Sequence, residues 1–436
     1  MSKIWRRKEN MEAENEGMLS PYRVLDLTNE RGLTGGRILG DLGADVIKVE
    51  RPGGDPARRL GPFYLDIPDP ERSLHWMGFN TNKRGITLDI ETADGREIFK
   101  RLCKTADIII ESHDPGYMES IGLGYESLKE VNPGIIMASI TGFGQSGPYR
   151  DYKAPDIVLW ALSGLGYVTG DADRAPLSAS FPVSYFFSAL QAVIGSMIAL
   201  YQRGVTGKGQ YIDAVTLLGL AWTTGPEVQG LWPVNGQIVK RSGRIWPRPQ
   251  TSATGEVKYI DVPLTYPCKD GGVKFFPFVE PGMLPSTNGL TQWVIEEGAE
   301  SDTLINLDWS TFNWQTVSQE TADEIVESFS RLFIKHTKAE LWKGAQERGI
   351  QLYPVFTPKD MLSFPQLDAR EYWEKVEHPE LGTTITYPGA FAKLAEGSCS
   401  IRRRAPLIGE HNADIYINEL GMSKGDLITL KQANVI

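Results

Sequence analysis

From Tyr22 onward, short runs of aliphatic and β-branched residues alternate with stretches of helical period. The runs 23–26 (RVLD), 45–49 (DVIKV), 107–111 (DIIIE) and 135–140 (IIMASI) predict strands with almost no polar face. Residues 35–42 and 97–105, lying between them, predict helices. Strands apolar on both faces and separated by helices belong in a parallel sheet covered on both sides, an α/β, Rossmann-like wind. The longest helical candidate is 184–203, with Ser184 to cap its start, Gly204 to close it, and apolar residues nearly all round. Such a helix needs burial on every side, in a large core or a subunit interface.

Past that helix the pattern changes. Residues 225–298 are rich in Gly, Pro and Trp, with short strands expected at 257–262 and 273–278. Helices return at 322–333 and 337–348, the second opened by a capping box (Thr337, Glu340) and stopped by Gly349. A buried strand is expected at 351–356. The simplest architecture is a Rossmann-like large domain built from both chain ends with an inserted smaller α+β domain. Its expected divisions are a mobile N-terminal arm (1–20), the first part of the large domain (21–223), the small inserted domain (224–335) and the return (336–436).

Length and composition sharpen this. With 436 residues, 41% apolar and 23% charged, the chain has ordinary globular usage and length for two or three domains. A net charge of −10 argues against nucleic acid as a partner, while leaving room for a small polyanion in a local basic pocket. Cys103, Cys268 and Cys399 lie far apart without a CxxC pair, which points to a reducing compartment and away from a structural metal. The start of the chain has no apolar signal core, and the richest apolar stretch, 186–201, is broken by Ser188, Gln191 and Ser196. A cytoplasmic protein with no membrane partner is expected. The segment 204–209 (GVTGKG) fails phosphate-loop spacing, 163–170 (SGLGYVTG) is not GxGxxG, and HExxH and GxSxG are absent.

Five phrases remain: LGADVIKVERPGGDPAR (42–58), NTNKRGITLDI (80–90), LGYESLKEVNPGIIMASITGFGQSGPY (123–149), TGKGQYIDA (206–214) and APLIGEH (405–411). In this order they resemble the family III CoA-transferases, from about Tyr22 to about Leu420. The resemblance implies coenzyme A and acyl-CoA as substrates, no metal, and an interlocked dimer in which each subunit threads through the other. It also implies an aspartate at the start of the long helix. There it attacks the acyl-CoA thioester and passes CoA on through an anhydride and an aspartyl thioester.

At that position stands Tyr185, in 181–186 (FPVSYF). A phenol with a pKa near 10 furnishes little anion at neutral pH, and a helix N-terminus contributes only about 0.3–1 kcal/mol, under one pKa unit. No catalytic nucleophile is therefore expected in this chain. Asp156, Asp171 and Asp173 are the carboxylates considered as replacements. The family's racemases are excluded, because their acid–base pair maps onto Pro155 and Tyr185. Positions implied to hold CoA are Arg31, Arg51, Lys83, the pair Ser112–His113, and Lys153, whereas a further family arginine is replaced by Ser120. The expected partner is a related sister subunit carrying the aspartate. A free-standing transferase with a relocated nucleophile and a CoA-binding scaffold are the alternatives.

Overall fold

Val24, Ile108 and Ile136 are buried with one core cluster, and Leu25, Ile109 and Met137, their strand neighbours, with another. Strict alternation inside wholly apolar runs places a core on each face of a single sheet. The computed structural model describes residues 17–171, 173–225, 241, 245–251 and 257–436. Its elements run β1 (Arg23–Leu27), α1 (Leu33–Asp41), β2 (Asp45–Glu50), α2 (Leu74–Phe79), β3 (Lys83–Thr87), α3 (Ala93–Cys103), β4 (Ile108–Glu111), α4 (Tyr117–Ser120), α5 (Tyr125–Val131), β5 (Ile136–Thr141), α6 (Asp156–Leu162), α7 (Leu165–Val168), α8 (Val183–Thr206), β6 (Tyr211–Val215) and α9 (Thr216–Gly225). The six strands pair in the order β3-β2-β1-β4-β5-β6, all parallel. The direction of winding reverses between β1 and β4, and in such sheets ligands enter at that reversal, beyond the carboxyl ends of the strands.

The described chain divides into two units, one of Met1–Leu165, Ala179–Gln229 and Gln366–Ile436, the other of Gly166–Ser178 and Gly230–Pro365. Both chain ends thus build the first unit. The C-terminal residues Val435 and Ile436 and the ring of Tyr416 are buried on the face of the sheet covered by α3. The returning chain also closes the sheet edge: Gly85 N–H donates to His411 Nδ1 (3.1 Å) and Thr87 N–H to Asn412 Oδ1 (2.9 Å). The APLIGEH phrase therefore covers the free side of β3.

Several expectations are corrected. Residues 1–16 of the expected mobile arm lie outside the described residues. The chain is already docked at Leu19, which is buried and donates its N–H to Leu42 O (2.9 Å). The return comes at Gln366 rather than 336, because helix Lys338–Arg348 packs Leu341 and Ala345 into the core of the second unit. That unit pairs β7 (Ile245–Thr251) with β8 (Val257–Pro263), and a second sheet joins β9 (Thr265–Cys268), β10 (Gly271–Lys274) and β11 (Tyr353–Pro354). The strand expected over 351–356 shrinks to the two residues of β11, with Tyr353 exposed. The strand expected over 273–278 shrinks to β10.

Helix α8 also differs in its ends and faces. Pro182 is its N-cap, and Gly207, at φ +72°, closes it in place of Gly204. Its sheet-facing side is small: Ser188, Ala189, Ala192, Val193 and Ser196 are buried, and Ser196 Oγ donates to Ala192 O (2.7 Å). Leu190, Ile194, Ile198, Tyr201 and Val205 form an exposed stripe at helical spacing. By length and apolarity α8 would pass for a membrane span. It packs, however, on α1, β5 and β6, as a core helix of the first unit.

Candidate active site

At the reversal between β1 and β4 the two strand ends are tied by Asn29 and Ser112. Asn29 N–H donates to Ser112 Oγ (2.8 Å), and Ser112 Oγ donates to Asn29 Oδ1 (2.9 Å). That carboxamide oxygen also accepts from the Arg31 N–H (3.1 Å), fixing the turn from β1 into α1. Ser112 is buried, and its hydroxyl is committed to joining the two strand ends. Next to it, His113 N–H donates to Glu111 Oε2 (2.7 Å), and its ring stacks on Tyr117 with centroids 4.5 Å apart. Burial, reinforced by the nearby Lys48 and Arg51 cations, pushes the His113 pKa down to about 4. The ring is therefore neutral at pH 7, and its buried Nε2 has no hydrogen-bond partner.

Three cations around His113 fall into two ion-paired groups. Arg51, exposed at the end of β2, reaches Glu91 Oε1 (2.5 Å) and Tyr117 Oη (3.4 Å). Asp114 bridges Lys153 Nζ (2.9 Å) and Arg31 Nη1 (3.8 Å), and its carboxyl lies below the usual range chiefly through the Lys153 hydrogen bond. Arg31 Nε is buried without a partner. Of the expected CoA positions, Arg31, Arg51, Ser112, His113 and Lys153 thus lie in one connected cluster of contacts beyond the carboxyl ends of β1 and β4.

Lys83 is the exception. It is fully buried and donates to Asp26 Oδ2 (2.7 Å), Leu33 O (2.8 Å) and Asn80 Oδ1 (2.8 Å). All three ammonium protons are committed inside the protein, so Lys83 offers none to a ligand phosphate. Burial lowers its pKa to about 8, opposed by Asp26. Its role is to neutralise Asp26, beneath the crevice floor, together with Lys48 (3.9 Å).

Tyr185 lies in the first turn of α8, half-buried against Ala154, Leu159 and Leu220. Burial raises the pKa of its phenol above the usual 10, and Arg31 opposes the rise. The group is a neutral donor at physiological pH. Asp156 Oδ1 accepts the Ser184 N–H (2.9 Å), so the Asp156 carboxylate acts as a cap supplied to α8 from the start of α6. Asp171 and Asp173 belong to the second unit. Ser120, exposed, donates to Tyr117 O (2.7 Å). Among the described residues no group of three His, Cys, Asp or Glu is placed to hold a metal. A groove of about 550 Å³ lies elsewhere, between Tyr125, Tyr211, Glu119, Lys129 and Lys208, and shares no residue with this crevice. Asn29, Glu91, Asp114 and Tyr117 were not singled out from the sequence. Asn29 meets Ser112 across 83 positions, a pairing with no local signature.

A doubly wound sheet with a cluster of cations at its reversal point, and a long helix starting beside it, is a frame suited to an anionic ligand. The description CoA-transferase family III matches residues 19–412, and the chain belongs to that family as a CoA-transferase acting on CoA thioesters. It is 35% identical over 405 residues to the succinyl-CoA:(R)-benzylsuccinate CoA-transferase subunit BbsE of Thauera aromatica, covering 91% of this chain and 93% of that one. It is 30% identical to the succinyl-CoA–D-citramalate CoA-transferase of Chloroflexus aurantiacus, covering 96% and 98%. Among solved structures, a CAIB/BAIF family protein from Brucella suis superposes with a TM-score of 0.77 at 27% identity, covering 93% of this chain and all of that one.

Proposed function

We propose that this chain is the nucleophile-lacking subunit of a heteromeric transferase. The complex would move CoA from succinyl-CoA to an aryl-substituted dicarboxylic acid such as benzylsuccinate, in the cytoplasm, as a step of anaerobic toluene degradation. The observation that carries this reading is Tyr185, a half-buried neutral phenol at the position that the family resemblance assigns to the attacking aspartate. A sister subunit of the same fold supplies that aspartate. CoA phosphates are met in this chain by Arg51 and Lys153, with Arg31 and His113 beside them, while Lys83 and Ser112 only support the crevice.

Two further facts favour a partner. The exposed stripe of α8, where Ile198 is 64% and Tyr201 80% exposed, is too apolar and too continuous for a surface left in water. An interlocked sister subunit is its proposed cover. The relative BbsE is itself a subunit of a CoA-transferase. A relocated nucleophile is disfavoured, since the Asp156 carboxylate is engaged in capping α8.

Co-expression with the sister, native mass spectrometry, and hydroxylamine trapping during turnover with succinyl-CoA test the reading together. The expected result is a complex of two related chains with the adduct on the sister only. An active homodimer of this chain, or an adduct on any of its carboxylates, overturns it.

A further inference from the structure

Two stretches of the chain, 141–149 (TGFGQSGPY) and 206–214 (TGKGQYIDA), meet where β5 ends beside β6. Thr141, the last residue of β5, accepts the Gly144 N–H at Oγ1 (3.0 Å), and its carbonyl accepts from Thr216 Oγ1 (2.9 Å). Asp213 Oδ2, on β6, then accepts the Gln145 N–H (2.9 Å). Gly144 makes that approach possible. Its φ is +94°, and a Cβ there would lie 3.1 Å from Val215 Cγ2 and 3.3 Å from Asp213 Oδ2. Held in this way, Gln145 presents its carboxamide oxygen to Gly116, whose N–H donates to it (3.2 Å). Gly116 ends the short segment that carries His113 and Asp114. The same loop meets that segment at two further points. Lys153 Nζ donates to Asp114 Oδ2 (2.9 Å), and a Cβ on Gly116 would lie 3.0 Å from Arg150 Nη2. At its other end the segment is tied to its own strand, where His113 N–H donates to Glu111 Oε2 (2.7 Å). Residues 113–116 are therefore held by β4 on one side and by the loop 142–153 on the other.

We propose that Gln145 is a positioning residue. Through the Gly116 N–H it fixes where His113 and Asp114 stand, and Asp114 in turn holds the cations Lys153 and Arg31. Asp213 positions Gln145. Both side chains act through the backbone of 113–116 and not on the ligand itself. That CoA is what this cluster meets rests on the proposed function. The clamp itself rests on the hydrogen bonds alone.

The test uses the purified complex. Amide hydrogen exchange over 113–117, followed by mass spectrometry, reads the clamp without a ligand. Calorimetric titration with CoA reads its effect, with the number of sites compared with the copies of each chain. Gln145→Met keeps the length of the side chain and removes the acceptor, whereas Gln145→Glu keeps an acceptor oxygen. Loss of one neutral hydrogen bond corresponds to a change of about 2- to 10-fold. Gln145→Met should speed exchange over 113–117 by about that factor and weaken CoA binding at this chain's sites by a similar one. Gln145→Glu should restore both. Asp213→Ala should reproduce the methionine variant, and the two changes together should do little more than either alone. Exchange over 113–117 unmoved by Gln145→Met, equal behaviour of the Met and Glu variants, or acceleration spread over the whole chain overturns the proposal. So does faster exchange there with CoA affinity unchanged. A wild-type complex that binds CoA only at the sister's sites overturns instead the assignment of CoA to this chain, while the exchange measurements still decide for or against the clamp.

Discussion

On the proposed function, replacing Tyr185 by aspartate would supply the missing nucleophile, and it should not create a second active site. The substitution removes a half-buried ring from contact with Ala154, Leu159 and Leu220. Full burial of such a side chain is worth about 1.5–3 kcal/mol, so half burial forfeits about 1 kcal/mol. The new carboxylate also arrives where Asp156 already caps the helix, and like charges oppose each other there. Catalysis fails for a different reason. The thioester carbonyl must be held within about 3–3.5 Å of the nucleophile. Two of the positions the family resemblance assigns to CoA are unable to help, because Lys83 has every proton bonded inside the protein and Ser112 is committed to Asn29. Each missing charge-assisted hydrogen bond costs about 1.5–3 kcal/mol. Two together amount to about 3–6 kcal/mol, or a loss of about 10²- to 10⁴-fold in kcat/KM. The assay pairs Tyr185→Asp with a sister subunit whose own aspartate is alanine, and follows CoA transfer from labelled succinyl-CoA. Turnover within about tenfold of the wild-type complex would refute the reasoning.

Other substitutions probe the supporting structure. Lys83→Met leaves Asp26 in the core with Lys48, at 3.9 Å, as its nearest cation beside the two hydrogen bonds from Thr28, and should destabilise the chain by about 3–5 kcal/mol in urea unfolding. Glu111 is fully buried, and burial lifts its pKa from 4.5 to about 7. A raised carboxyl contributes stability that is complete below pH 4.5 and lost as pH rises toward 7. The difference, 7 less 4.5, corresponds to a ceiling of about 3 kcal/mol at about 1.36 kcal/mol per pH unit. Glu111→Gln should therefore match the wild type near pH 4.5 and exceed it in stability at pH 8; identical pH profiles would count against a buried proton on Glu111. Asp156→Asn keeps an acceptor for the Ser184 N–H and should leave transfer by the complex unchanged, whereas Asp156→Ala should cost about 0.5–2 kcal/mol of stability. Ile198→Asp places a charge in the exposed stripe of α8 and should abolish association with the sister, read by native mass spectrometry.

The central strands, the helices α1 and α3 and the long helix α8 were legible in the chain because each is written in local periodicity, whereas the short α2, α4 and α5 were not singled out. Apolar runs of four to six residues covered on both faces have no other home than a parallel sheet. The edge strands β3 (KRGIT) and β6 (YIDAV) were not recognised as strands, since an edge has one free side and tolerates charge and glycine. Gly85 is required there because a Cβ would meet Pro406 at 2.8 Å, a neighbour 321 positions away.

What the sequence by itself could not decide is where each charge goes. Lys83 and Arg51 look alike in the chain, as cations beside strand ends, yet one is fully buried with three bonds and the other exposed against Glu91. The inward turn of Lys83 depends on Asp26, Leu33 and Asn80 converging from β1, α1 and the end of α2. The faces of α8 show the same division. Its apolarity is local and visible in sequence, but the assignment of serine and alanine to the core and of Ile194, Ile198 and Tyr201 to the outside follows from how closely β5 and β6 approach it. Periodicity determines which residues share a face, and only the packing of distant elements decides which face is left for a partner or a ligand.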